Sequence, residues 1–221
     1  MKIHVNSVEL FYNVSGQGEP IILLHGNGQD HTVFKSITKK LSADFTVYGI
    51  DSRDHGQSSR VKFLDYHSKM EDVAAFIEQL GLDKPIVYGF SDGGIIGLLL
   101  AIYYPDRLSK LIISGANTYP DGIKRSSLLL VKTVFFFTRS KKLKLMLTQP
   151  NITNAQLNTI TVPTLVLAGK RDLIKEEHTR NIAANIPNCE LRILSGESHT
   201  SYVFDSDSEK LYDIIKVFIG G

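Results

Sequence analysis

The sequence PIVYGFSDGGIIGLLLAIYY, residues 85–104, decides the interpretation of this chain. It opens on a short apolar run typical of a buried strand, passes through a glycine-rich turn and continues as an apolar helical pattern. The turn contains Gly-x-Ser-x-Gly, in which Gly89 and Gly93 flank Ser91. Glycine removes the Cβ atoms that would clash where a strand bends sharply into a helix. The stretch therefore predicts a nucleophile elbow that presents Ser91.

The motif alone is weak, because a chain of this composition contains it by chance in roughly one case in ten. The alternative is an ordinary glycine-rich turn with an incidental serine. The position of Ser91 between an apolar strand and an apolar helix favours the elbow. A serine hydroxyl is a poor nucleophile at neutral pH, so the hypothesis requires a histidine base and an acid that orients it.

Strand and helix patterns alternate on both sides of this stretch. The first two strand patterns alternate apolar and polar residues and indicate a hairpin, whereas the later ones are continuously apolar, as in a parallel sheet covered on both faces. Strands are predicted at residues 2–5, 10–14, 20–24, 45–50, 85–88, 111–113, 164–168 and 191–194, and helices at 70–80, 94–104 and 210–219. The alternation predicts an α/β fold with a mostly parallel sheet.

The alternation breaks once, between residues 117 and 160, where only helical patterns occur. These patterns are SSLLLVKTVFFF and KKLKLML. A helical insertion between parallel strands most simply lies above the carboxyl edge of the sheet, where such folds bind ligands. We therefore predict a core formed by residues 1–116 and 161–221, with residues 117–160 as a short helical cap, or lid.

Composition limits the classes of function. The chain has 221 residues, 43% apolar and 22% charged, and a net charge of +2. These values exclude a disordered or coiled-coil protein, and the net charge is too small to indicate a nucleic-acid partner. The single Cys189 allows no intramolecular disulfide and no cysteine-based metal site, and is expected in the core. The sequence shows no signal peptide and no run of 18 apolar residues, so we expect a cytoplasmic protein.

The charge is unevenly distributed along the chain. Residues 122–149 contain seven basic residues and no acidic residue, so the rest of the chain is net negative. Arg125, Lys132 and Arg139 recur every seven residues and form one stripe on a helix. The expected arrangement places the apolar side of the helix over the active site and the basic stripe in water. The alternative is a lid that meets anionic substrates or a membrane surface.

Candidates for the base and the acid follow strand ends. His199 comes just after the strand CELRIL, and Asp172 comes just after TLVLAG. Because the carboxyl ends of parallel strands meet at one edge, both residues are predicted to lie beside Ser91. The chain order Ser, Asp, His is the one used by hydrolases that have a nucleophile elbow. Asp121 is the rival for the acid.

The remaining histidines are assigned structural roles. His25 and His55 adjoin glycines and are expected to hold loops through hydrogen bonds. The other four are expected at the surface or at helix ends: His4, His31, His67 and His178.

An acyl-transfer site also needs donors for the oxyanion. The loop His25-Gly-Asn-Gly28 follows an apolar strand and can offer the backbone N–H of Asn27, while Asp92 can offer its own. The carboxylate of Asp92 has two possible roles. It could bind a cationic group of the substrate, or it could turn outward and cap the following helix, which is the expected arrangement.

Taken together, the motifs HGNG, DSRDHGQS, GFSDGG, GKRD and SGESH resemble the α/β-hydrolase superfamily over residues 20–200. GFSDGGIIGLLLAIYYP and SGANTY are most similar to the biphenyl hydrolase-like, or valacyclovir hydrolase, group. Two departures are Phe90, where that group has tryptophan, and Asp54, where glycine is common. The resemblance implies an eight-stranded sheet with an antiparallel second strand, a cap after the sixth strand and a triad of Ser91, Asp172 and His199.

The sequence therefore predicts a serine hydrolase that cleaves an ester or related acyl bond of a small molecule, without a metal or other cofactor. Two alternatives stay open. The same fold can serve as a small-molecule receptor with slow turnover, and the same residues can support a C–C bond hydrolase, a perhydrolase or a peptidase.

Overall fold

The computed structural model describes residues 1–204 and 208–220. Eight strands form one sheet in the order β1-β2-β4-β3-β5-β6-β7-β8. The strands are β1 (Lys2–Val5), β2 (Val8–Ser15), β3 (Glu19–Leu24), β4 (Phe45–Ile50), β5 (Ile86–Phe90), β6 (Leu111–Ser114), β7 (Thr164–Arg171) and β8 (Cys189–Ser198). The predicted eight-stranded α/β architecture is confirmed.

The sheet is antiparallel only at one edge. Strand β2 pairs antiparallel with β1 and β4, and the pairs from β4 through β8 are all parallel. Along β3, Ile21 and Leu23 belong to one apolar cluster while Ile22 and Leu24 belong to the other. The parallel strands are thus covered on both faces, which explains their continuously apolar sequences.

Eight α-helices accompany the sheet in the described part of the chain. They are α1 (Lys35–Leu41), α2 (Tyr66–Gln79), α3 (Asp92–Tyr103), α4 (Arg125–Thr138), α5 (Lys141–Thr148), α6 (Asn154–Leu157), α7 (Glu176–Ala184) and α8 (Glu209–Gly220). Helix α2 begins four residues before the predicted start, because Asp65 caps it by accepting a hydrogen bond from the N–H of Ser68 at 2.7 Å. None of the described helices is long and apolar enough to cross a membrane.

Helices α4, α5 and α6 lie between β6 and β7, the segment predicted as the cap. Packing differs along this segment. No side chain of α4 is buried, whereas Leu157 of α6 and the following Ile160 are fully buried in the main apolar cluster. The limits 117–160 remain a prediction, and α4 is the least embedded element of the segment.

Candidate active site

Ser91 lies in a sharp turn between β5 and α3, with φ 53° and ψ −114°. The two flanking glycines are required sterically. A Cβ on Gly89 would lie 2.2 Å from the carbonyl oxygen of Gly93, and a Cβ on Gly93 would lie 1.9 Å from that of Leu24. Because these are backbone atoms, no side chain fits at either position. The strand and the helix therefore cross closely, and Ser91 is held at the carboxyl edge of the sheet.

The two other predicted side chains converge on Ser91. The Nε2 atom of His199 lies 3.2 Å from the Ser91 Oγ atom, and its Nδ1 atom lies 2.7 Å from Asp172 Oδ1. Asp172 is buried and also accepts a hydrogen bond from the N–H of Ile174 at 2.9 Å. A carboxylate at Nδ1 favours the tautomer that turns the Nε2 lone pair toward the serine hydroxyl. Asp121 is exposed in a turn after β6, so Asp172 rather than Asp121 meets His199.

The two residues predicted to supply backbone donors line the same cavity. Asn27 and Asp92 both line it, and within residues 1–204 and 208–220 their backbone N–H groups have no acceptor. Asp92 is also the first residue of α3, where helix N–H groups are unsatisfied and carry partial positive charge. Two free N–H groups beside a serine are what a developing oxyanion requires.

The cavity has a volume of about 300 Å³ and lies between the strand ends and the cap. The core supplies Ser91 and His199, and the segment between β6 and β7 adds the polar residues Asn117 and Gln149. The cap supplies apolar side chains from α4 and α5, namely Val131, Leu143 and Met146. The arrangement suits a ligand with one reactive polar bond and an apolar remainder.

The expectation that the Asp92 carboxylate turns outward is wrong. The carboxylate is buried and accepts hydrogen bonds from Tyr66 Oη at 2.7 Å, Asn27 Nδ2 at 3.0 Å and Lys69 Nζ at 3.2 Å. Lys69 is only 1% exposed, so it forms a buried ion pair with Asp92. Burial and the nearby carboxylate raise the pKa of the Tyr66 phenol well above its usual value.

Sequence reasoning missed Lys69 and Tyr66. One signal, the helical spacing, was available. Lys69 lies three residues after Tyr66 and four before Val73, so it shares one face of α2 with these two buried residues. A lysine on an apolar helix face indicates a buried acidic partner. The sequence did not show which acid this was, because that depends on how α2 packs against α3.

Two of the other histidines hold loops, as predicted. The Nδ1 atom of His25 lies 2.8 Å from the carbonyl oxygen of Gly26, and its Nε2 atom accepts from the N–H of Ser52 at 3.0 Å. The Nδ1 atom of His55 lies 2.9 Å from the carbonyl oxygen of Arg53. Burial lowers the pKa of His25 to about 4 and that of His55 to about 3, so both are neutral near pH 7.

His178 was expected at the surface or at a helix end, and the expectation of a surface position is wrong. The ring is buried between α7 and the segment after β6, and its Nε2 atom accepts from the N–H of Thr118 at 3.0 Å. Burial lowers the pKa of His178 to about 4.

One group of potential metal ligands lies after β3 and β4. Ligand atoms of Asp30, His31 and Asp51 all lie within 4.8 Å of one another. Each is already engaged. Asp30 accepts from the N–H of Thr32 at 2.9 Å, and Asp51 Oδ1 lies 2.7 Å from His31 Nδ1. The contact between His31 and Asp51 links the two loops, so hydrogen bonding explains why these side chains lie together.

Polar contacts join the cap to the core beside the active site. Asn27 Nδ2 also donates to the carbonyl oxygen of Lys142 in α5 at 3.2 Å. Lys141 of α5 forms an ion pair of 2.7 Å with the buried Asp54. Asp54 has a φ of 68°, a conformation that favours glycine. Glycine is common at this position in the family that the sequence resembles. In this chain the position instead carries a carboxylate that binds the cap through Lys141.

Comparison with known proteins agrees with this architecture. The family described as alpha/beta hydrolase fold matches residues 19–140, more than half of the chain. The AB hydrolase superfamily protein YisY of Bacillus subtilis (strain 168) is 28% identical over 257 residues, covering 96% of this chain and 95% of that protein. The human serine hydrolase BPHL is 36% identical over 128 residues, covering 53% of this chain and 43% of BPHL.

Further similarities cover less sequence or show the fold alone. The pimeloyl-[acyl-carrier protein] methyl ester esterase of Vibrio atlanticus (strain LGP32) is 32% identical over 111 residues, 49% of this chain and 40% of the esterase. Among solved structures, Est816, titled an N-acyl homoserine lactone degrading enzyme, has a TM-score of 0.84 at 22% identity, covering 99% of this chain and 100% of Est816.

Proposed function

Since the chain belongs to the alpha/beta hydrolase family, we propose that it is a serine hydrolase that cleaves a carboxylic ester of a small molecule through an acyl-enzyme. The observation that carries this proposal is the chain of contacts from Asp172 through His199 to Ser91 at the cavity wall. Relatives named as a serine hydrolase and a methyl ester esterase support the same reaction class.

In the proposed mechanism, Ser91 Oγ attacks the acyl carbon while His199 Nε2 takes its proton. The electron pair of the carbonyl bond moves onto the oxygen, which the N–H groups of Asn27 and Asp92 stabilise. When the intermediate collapses, the bond to the leaving oxygen breaks and His199 returns the proton to the alcohol. Water, deprotonated by His199, then attacks the acyl-enzyme and releases the acid and free Ser91.

The cavity points to an uncharged acyl group of small to medium size. Val131, Leu143 and Met146 make its cap side mostly apolar, and a volume of about 300 Å³ is at the lower end for ligand sites. The carboxylate of Asp92 is already neutralised by Lys69. Among the described residues that line it, the pocket therefore offers no free carboxylate to a substrate ammonium group, and we expect amino-acid esters to have no advantage over their des-amino analogues.

The deciding experiment measures hydrolysis of p-nitrophenyl esters of increasing acyl length by the wild type and by Ser91→Ala. We expect a loss of about 10⁴-fold or more in kcat for Ser91→Ala, because the nucleophile is absent. Ser126→Ala, which removes an exposed serine of α4, is the matched control and should retain full activity. Activity retained in Ser91→Ala would contradict the mechanism.

The same series separates an enzyme from a receptor. Turnover on the order of 1 per second or faster supports the enzyme. If a fluorophosphonate labels Ser91 but no ester of the series is hydrolysed, the activated serine stands, and the result favours either a hydrolase of narrow specificity or a slow receptor.

A further inference from the structure

Helix α4 is apolar on nearly all sides, yet the described protein covers only one of them. Leu128, Val131 and Phe135 are half-buried and face the protein. The opposite side, here called the outer face, exposes large apolar side chains by 41% to 78%. These side chains are Leu129, Leu130, Val134, Phe136 and Phe137. A helix that is apolar all round is normally buried, so the outer face calls for a partner.

A loop beside α5 also exposes an aromatic side chain. The ammonium group of Lys141 in α5 donates to the carbonyl oxygen of Val61, which places the loop beside the cap. In this loop Phe63 is 77% exposed, with Lys62 Nζ 5.4 Å from the centre of its ring. Exposed aromatic side chains and cations thus occur together both on α4 and on this loop.

The charge around the outer face has one sign. Residues 122–149 carry seven basic side chains and no acidic one. Among the residues that the structure describes, Lys141 is the only one of the seven with a carboxylate within ion-pair distance. The Arg139 guanidinium lies 5.3 Å from the centre of the Phe136 ring, so a cation borders the apolar surface directly.

We propose that the outer face of α4 docks on a membrane surface that contains anionic lipids. Large apolar side chains bordered by Lys and Arg match the interfacial region of a bilayer, where acyl chains take the former and headgroups pair with the latter. A second copy of the chain would bring two strongly basic faces together. An acidic protein would satisfy the charges but would need an apolar groove of its own for five projecting side chains. This surface is independent of the proposed serine chemistry.

The test measures cosedimentation of the full chain with phosphatidylcholine vesicles, with and without phosphatidylglycerol. We expect binding that requires phosphatidylglycerol and weakens with added salt. Leu130→Ser with Phe137→Ser should abolish binding, while Val217→Ser, an equally exposed apolar residue on α8, should not change it. Arg125→Glu with Lys132→Glu should weaken binding by more than about fivefold for each residue changed, whereas the exposed Lys39→Glu on α1 should have little effect.

Several results would overturn the proposal: no vesicle binding, equal binding to both vesicle types, or equal loss in the α4 and Val217 variants. Concentration-dependent dimers abolished by the α4 changes, without lipid binding, would assign the face to a second copy. Binding to an acidic acyl-carrier protein but not to vesicles would assign it to a protein partner. Ser91→Ala should bind vesicles like the wild type, so failure of the proposed esterase function would leave this result unchanged.

Discussion

The floor of the cavity, here defined as Asp92 with its partners Tyr66 and Lys69, buries charged groups. Helix α4, by contrast, exposes apolar side chains to solvent. In the floor, Asp92 and Lys69 are buried as ions, and the Asp92 carboxylate accepts three hydrogen bonds. In α4, Phe137 and its apolar neighbours face solvent, and the basic side chains around them lack close carboxylate partners among the described residues.

This contrast distinguishes residues that stabilise the fold from residues available to bind a partner. A buried ion pair depends on both partners, so a change in the floor should reach the stability of the whole domain. An exposed apolar side chain contributes little to folding, so changes on the outer face of α4 should alter association and leave stability nearly unchanged. The following predictions test this contrast.

The largest expected effect comes from Lys69→Met. The substitution keeps an apolar stem but leaves the Asp92 carboxylate buried without its cation, so we expect a loss of about 3 to 5 kcal/mol of unfolding free energy. Urea denaturation of the purified variant measures the loss. Adding Asp92→Asn should restore part of it, because the unpaired charge disappears.

The matched control is Lys2→Met, which breaks the exposed ion pair with Glu9. Pairs of that kind contribute at most about 1 kcal/mol. If Lys69→Met and Lys2→Met lose the same unfolding free energy, the buried ion pair contributes no more to stability than the exposed one, and the contrast fails.

A smaller effect is expected from acid. Unfolded histidine has a pKa near 6.5, whereas burial holds the pKa of His25 at about 4 and of His55 at about 3. Stability is therefore complete above pH 6.5 and falls as the pH drops toward those values, because the unfolded chain takes up protons that the folded chain does not. At pH 5 the expected loss is about 2 kcal/mol for each of these histidines.

Denaturation curves at pH 7.5 and at about pH 5 measure this loss. His55→Asn keeps a donor near the Nδ1 position but cannot be protonated. The loss of unfolding free energy on acidification should therefore be smaller by the contribution of one histidine, about 2 kcal/mol. The control is His4→Asn on the exposed strand β1, which should leave the pH dependence unchanged. A wild type as stable at pH 5 as at pH 7.5 would contradict the burial of His25 and His55 in their neutral form.

The smallest effect on stability is expected from Asp54→Gly. Glycine at a φ of 68° relieves backbone strain of about 1 kcal/mol, while loss of the half-exposed partner Lys141 costs a similar amount. The net change should stay within about 1 kcal/mol, yet amide hydrogen exchange in α5 should accelerate. Asp54→Asn, which tolerates the same φ, separates the charge from the backbone. Unchanged exchange in α5 would show that this ion pair does not hold the cap.

Much of the fold was predictable because it depends on local pattern. Apolar runs marked all eight strands, and the glycines around Ser91 marked the turn. Asp172 and His199 could be predicted to lie near Ser91 because parallel strands end at one edge, and the structure brings the three side chains together.

The side-chain environment was less predictable, because it depends on which helices pack together. The inward carboxylate of Asp92 follows from the packing of α2 on α3, which brings Lys69 and Tyr66 to it. The burial of His178 depends in the same way on the segment after β6. Periodicity also failed for α4, because a helix that is apolar on nearly all sides gives little sign of which apolar side the protein covers.

The side-chain amide of Asn27 has a consequence for the working cycle. Its nitrogen donates both to Asp92 in the floor and to the carbonyl oxygen of Lys142 in the cap. Any movement that lifts α5 to admit a substrate must break the second bond, and so disturbs the loop that we propose supplies an oxyanion donor. We therefore expect substrate entry to loosen the Asn27 loop, and the return of α5 over the bound substrate to fix it again.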